Sequence, residues 1–114
     1  MAEPYLERLT ETIASLDISS SDEMVLELKH FFSGAALYVN GKICVTLTPA
    51  GFGLKLPQVS INQLIDVGDG KELRYFDNAP IKKEYVALSQ SVIDDPDRLK
   101  SLIRQSIEFA VTEG

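Results

Sequence analysis

The stretch AALYVNGKICVTLTPAGFGLKLP, residues 35–57, predicts three antiparallel strands joined by two tight turns. Asn40-Gly41 is a strong hairpin signal, because a type I′ turn needs positive φ at both central residues and these residue types accept it best. The next turn is expected at Ala50-Gly51. The stretch therefore predicts the centre of a sheet, and no residue in it resembles a catalyst.

The two-residue turn predicts the register of the hairpin: Val39 pairs with Lys42, Tyr38 with Ile43, Leu37 with Cys44 and Ala36 with Val45. One face of this hairpin then carries Ala36, Tyr38, Ile43, Val45 and Leu47. The other face carries Leu37, Val39, Lys42, Cys44 and Thr46. In the third strand, the expected partners are Leu54 for Leu47 and Leu56 for Val45. We therefore predict that the Tyr38 face is the core.

Hydrophobic periodicity predicts helices over residues 4–16, about 57–66 and from Pro96 onward, and strands over 24–32, 71–76 and 81–88. Asp95 is the expected N-cap of the last helix, and Gly68 is expected to end the second. The predicted order is α-β-β-β-β-α-β-β-α. Because the strands come in blocks joined by short turns, we expect an α+β fold with a mostly antiparallel sheet and helices packed on it.

The length of 114 residues predicts one domain spanning residues 1–114. The formal net charge of −6 disfavours binding to nucleic acid and to anionic membranes, and Lys82-Lys83 is the one adjacent basic pair. A single cysteine allows no internal disulfide, and the polar, acidic start does not resemble a signal peptide. We therefore expect a cytoplasmic protein with no direct nucleic-acid or membrane binding.

The sequence has few residues of the types that act in catalysis or bind metal ions. His30 is the single histidine and is expected on a strand near the sheet edge or surface. Cys44 lies mid-strand, without the positive surroundings that activate a thiol, so we expect it to be inert. The acidic run of Asp94, Asp95 and Asp97 is explained by helix capping. We expect no catalytic residue, cofactor or metal site.

The face opposite the predicted core is the most informative feature for function. Phe31, Leu37, Val39 and Cys44 would form an apolar patch there. Monomeric proteins seldom expose a contiguous patch of this kind. Either a helix covers it or a second subunit or partner does, so these four residues are the candidate interface.

Several segments follow one another along the chain: FFSGAALYVNGKICVTL, GFGLKL, Gly68, ELRYF, EYVAL and VIDDPDRLKSLIRQSIEFA. In these segments the chain resembles the TfoX N-terminal domain family, most strongly over residues 31–110. Ser33-Gly34 stands where the family usually has Gly-Gly, and Ser89 where it often has proline. The resemblance implies a compact α+β domain similar to type III secretion chaperones, a link to competence regulation through TfoX (Sxy), and no defined catalytic residues.

Several hypotheses follow. The first is a non-enzymatic protein-binding module, acting as a homodimer or with a protein partner, in transcriptional regulation. The second is a secretion-chaperone-like binder of a client protein, which could add a strand to an open sheet edge. An enzyme would need a pocket where side chains such as Tyr38, Arg74, Lys83 or Tyr85 converge. Direct DNA binding would be marked by salt-sensitive affinity.

Overall fold

The computed structural model of the chain describes residues 4–18, 24–31, 34–74 and 84–113. The strands in them are β1 (Leu26–Phe31), β2 (Gly34–Val39), β3 (Lys42–Thr48), β4 (Gly51–Lys55), β5 (Gly70–Glu72) and β6 (Tyr85–Leu88). The helices are α1 (Tyr5–Ser15), α2 (Gln58–Asp66), α3 (Gln90–Ile93) and α4 (Pro96–Glu113). The predicted order is confirmed, with the short helix α3 added before the last one.

All strand pairs are antiparallel, and the sheet order is β1-β2-β3-β4-β6-β5. Strands β1 and β5 therefore form the two edges of the described sheet. The four helices lie on one face, where their apolar side chains form the main core with alternate residues of the strands. This arrangement confirms the predicted α+β class.

The turn at Asn40-Gly41 has the predicted type I′ signature, with φ of 51° and 82° at its central residues. Asn40 also fixes the start of β1. Its backbone N–H donates to the Val25 carbonyl over 2.9 Å, and its side-chain Oδ1 accepts from the Val25 N–H over 2.9 Å. One residue thus closes the β2–β3 hairpin and sets the β1–β2 register.

The predicted β2–β3 register is correct next to the turn and wrong beyond it. Val39 pairs with Lys42 and Tyr38 with Ile43, but Leu37 then pairs with Val45 instead of Cys44. Cys44 is the extra residue of a β-bulge, which shifts the alternation of the two strands by one position. As a result, Leu37 and Val39 lie on the core face with Val45 and Leu47, and the prediction that Tyr38 and Ile43 face the core is wrong.

The β3–β4 register also differs from the prediction. Thr48 pairs with Gly51, so the turn residues are Pro49 and Ala50 rather than Ala50-Gly51. Leu54 therefore faces Val45, not Leu47. The shift is an even number of residues, so the predicted core side chains of β4 keep their face.

The helices follow their predicted signals closely. Helix α1 buries Leu9 and Ile13 against the sheet. Helix α2 is followed by Gly68, which has a φ of 80°. Asp95 caps α4, because its carboxylate accepts a hydrogen bond from the Arg98 N–H over 3.3 Å. None of the helices in the described residues is long and apolar enough to span a membrane.

Some predictions fall on residues outside the described ranges. These are the end of the first strand at Phe32, the strand residues Tyr75 and Phe76, the turn over residues 77–80, and the start of the last strand over residues 81–83, which includes the basic pair Lys82-Lys83.

Candidate functional site

The candidate interface predicted from the sequence is not a surface of the molecule. Leu37, Val39 and Cys44 are 0 % exposed and belong to the main core, where α1 and α4 pack on β2 and β3. Phe31 is half-buried on β1 and has the register position of the opposite face. The apolar patch is therefore covered by helices of the same chain, because the Cys44 bulge turns Leu37 and Val39 towards them.

The bulge at Cys44 is held by a side chain from the last helix. The buried Ser106 hydroxyl donates to the Cys44 carbonyl over 2.8 Å, and the Cys44 thiol donates to the Leu37 carbonyl over 3.5 Å. Burial raises the pKa of the Cys44 thiol to about 12. A neutral, buried thiol is a poor nucleophile, so this position agrees with the expected inert cysteine.

His30 also lies where the sequence analysis expects it. His30 is exposed on β1, at the edge of the sheet. Over the described ranges, no three His, Cys, Asp or Glu side chains are grouped to hold a metal ion.

The sheet face away from the helices carries a second, smaller apolar cluster. It consists of buried Leu73, Tyr85 and Ala87, with Ile43 and Ala50 packed against them. The backbone at Gly53 lies close beneath this cluster, since a Cβ there would sit 2.9 Å from Leu73 Cδ2. Leu73, Tyr85 and Ala87 are already buried within the chain, so they stabilise the sheet rather than offer an open binding surface.

Strand β1, with six residues, is the longer of the two edge strands in the part of the chain that the structure describes. Its backbone bonds with β2 on one side, beginning with the Val25–Asn40 pair. Hydrogen bonding alternates along an antiparallel strand, so Val25, Glu27 and Lys29 bond towards β2. The amides and carbonyls of Leu28 and His30 consequently point outward, away from the sheet.

A half-open groove of about 280 Å³ lies beside the β1 edge, on the helix face of the sheet. Its lining residues come from the segment that follows α1, the approach to and start of β1, and the middle of α4: Asp17, Ile18, Met24, Leu26, Arg104, Ile107 and Glu108. The lining combines apolar side chains with charged side chains of both signs. The side chains of Arg104 and Glu108 form no ion pair with each other in the structure.

We name the open backbone of β1 together with this groove the edge site. Sequence patterns alone do not reveal it. The alternation over residues 24–32 predicts a strand, but whether a strand is central or at an edge depends on the pairing of all six strands. The groove likewise depends on where α4 crosses the sheet.

The described residues define a small α+β domain with helices on one face of an antiparallel sheet whose edge strands are β1 and β5. The model of the TfoX N-terminal domain matches residues 24–110. The chain therefore belongs to the TfoX N-terminal domain family. Helix α1, which packs on β2, precedes the matched region. No curated protein is significantly similar to the chain.

Proposed function

We propose that the chain is a non-enzymatic protein-binding module that receives an extended segment of a protein along strand β1. One observation carries the proposal: the open backbone of Leu28 and His30 lies next to a groove lined by apolar and charged side chains. In strand addition, main-chain hydrogen bonds supply affinity and neighbouring pockets select side chains. The edge site combines both elements.

The proposed binding geometry follows from the strand alternation. An added strand would exchange hydrogen bonds with the outward groups of Leu28 and His30. Its side chains on the helix face would meet the groove, where Ile107 and Leu26 offer apolar contact. Arg104 and Glu108 at the rim could pair with charges of either sign on the segment.

The proposal extends to a regulatory role in the cytoplasm, exerted through protein contact rather than through nucleic acid. The net charge of −6 supports this choice, because a surface of that sign repels a phosphate backbone. The buried, neutral thiol of Cys44 supports a non-enzymatic role. A secretion-chaperone-like binder of a client protein is the alternative, and it would use the same edge.

The test uses two substitutions at one position. His30→Pro removes the outward N–H without removing a bond to β2, whereas His30→Ala removes the side chain and keeps the N–H. We expect affinity capture from bacterial extracts to yield a partner that wild type and His30→Ala retain and that His30→Pro loses. Circular dichroism would confirm that both variants fold. A partner retained equally by all three proteins would contradict binding along β1.

A further inference from the structure

We propose that the groove of the edge site receives a lysine or arginine side chain of the segment that pairs with β1. This inference rests on the proposed function, since it names the kind of side chain that the same site selects. It is carried by the lining of the groove, where two carboxylates from separate parts of the fold, Asp17 and Glu108, accompany apolar side chains. The backbone pairing that it needs is confined to Leu28 and His30.

The turn that follows α1 fixes the position of Asp17. The Asp17 N–H donates to the Ala14 carbonyl over 3.0 Å, and the Ile18 N–H donates to the Ile13 carbonyl over 3.3 Å. Asp17 itself has a φ of 61°. These two bonds and the left-handed residue form a Schellman motif. Because Ile18 also packs against the main core, the motif holds both residues at the groove.

Helix α4 supplies the other charged residues of the groove. Arg104 and Glu108 are four residues apart, so their side chains are neighbours on one flank of the helix. Both are exposed, whereas Ile107 beside them is buried. Among the residues that the structure describes, neither Glu108 nor Asp17 has an ion-pair partner for its carboxylate. Two carboxylates are therefore available next to apolar surface.

A lysine or arginine side chain matches this combination. Its methylene stem packs on apolar surface while its charged head stays with polar groups. The volume of about 280 Å³ is just below the roughly 300–1,000 Å³ of small-molecule pockets, so it suits one long side chain. Two carboxylates against the single guanidinium of Arg104 favour a cation in the groove, and the net charge of −6 acts in the same direction.

Strand alternation makes this selection specific to one position. Successive side chains of an added strand point to opposite faces of the sheet, so every second one points to the helix face. The groove lies on that face, next to the start of β1. We therefore expect a preference for one basic residue at a fixed place in the segment, and not for a segment that is basic throughout.

The test selects random heptapeptides, displayed on phage, for binding to the wild-type protein. Lysine or arginine is expected at one position of the selected peptides. A selected peptide is then synthesised with lysine at that position and, for comparison, with norleucine, which keeps the apolar stem and lacks the charge. By fluorescence anisotropy, we expect the lysine peptide to bind roughly 2- to 25-fold more tightly, as two partly exposed ion pairs would give.

Neutral variants of the groove should reduce this difference. Asp17→Asn keeps a residue type that accepts positive φ, and Glu108→Gln keeps the length of the side chain. Each is expected to weaken the lysine peptide by roughly 1.5- to 5-fold and to leave the norleucine peptide unchanged. Arg104→Gln is expected to strengthen the lysine peptide by a similar factor. The control, Glu11→Gln with Asp66→Asn, removes two charges at exposed positions outside the groove and should preserve the preference for lysine.

Two results would overturn the inference. One is a selection that yields no binding peptide, or peptides without a basic position. The other is a difference between the lysine and norleucine peptides that the groove variants leave unchanged. His30→Pro separates the inference from the proposed function. Peptides that lack a basic position but lose binding to His30→Pro would leave strand addition standing, whereas basic peptides that bind His30→Pro as tightly as wild type would contradict strand addition.

Discussion

The hydrogen bond from Ser106 to the β-bulge gives the most direct test of the fold. Cys44 is the extra residue of the bulge, and its carbonyl accepts from the Ser106 hydroxyl over 2.8 Å. Ser106 is 0 % exposed, so water cannot replace the hydroxyl without rearrangement. Replacing it with alanine is therefore expected to leave a buried acceptor without this donor.

The expected cost comes from two opposing effects. An unsatisfied buried acceptor costs about 1–3 kcal/mol of the free energy of unfolding. Alanine in place of serine inside a helix returns up to about 0.7 kcal/mol through its higher helix propensity. We therefore expect Ser106→Ala to lower the free energy of unfolding by about 0.3–3 kcal/mol.

The control is Ser101→Ala, at an exposed position of the same helix. It carries the same gain in helix propensity, and its hydroxyl accepts only a 3.4 Å contact from the Gln105 side chain. Urea denaturation followed by circular dichroism would give both free energies. If Ser106→Ala is as stable as Ser101→Ala, the bulge does not depend on α4 and the reasoning is refuted.

Three further predictions concern single positions. Gly34→Ala is expected to destabilise the domain by about 3 kcal/mol or more in urea denaturation, because a Cβ would collide with the Leu47 carbonyl oxygen; wild-type stability would show that β2 can shift. Asp95→Ala should lower the free energy of unfolding by about 1 kcal/mol in the same measurement, because the cap of α4 is removed. An unchanged free energy of unfolding would show that the 3.3 Å contact does not stabilise the helix. Cys44 has a pKa raised from 9.0 to about 12, so its contribution to stability is full below pH 9 and falls as the pH rises towards 12. Stability measured across that range should fall more steeply for wild type than for Cys44→Ala, and equal slopes would argue against the shift.

Local signals predicted most of the fold. The Asn40-Gly41 turn, the Asp95 cap and the apolar stripes of the helices each depend on residues close in sequence. The register between strands is harder to predict from the sequence. The β3–β4 turn is placed one residue earlier than expected, since Pro49-Ala50 and Ala50-Gly51 are both plausible turn pairs.

The bulge was missed, although the sequence holds a sign of it. With a regular two-residue turn, odd-numbered residues of β2 face even-numbered residues of β3. The apolar positions Leu37 and Val39 are odd, and so are Val45 and Leu47. A regular hairpin would put these pairs on opposite faces, which produced the prediction of an apolar outer patch. One inserted residue brings all four to the same face, and Cys44 is that residue.

The bulge also determines what remains for a partner. Without it, Leu37 and Val39 would lie on the face away from α1 and α4, and a second protein would be needed to cover them. With it, the helices of the same chain cover these side chains. The two faces of β1 then differ in polarity: Leu26 and Leu28 pack towards the core, whereas Glu27 and Lys29 are exposed. The edge of β1 is therefore where we propose that a partner binds, through the outward backbone groups of Leu28 and His30.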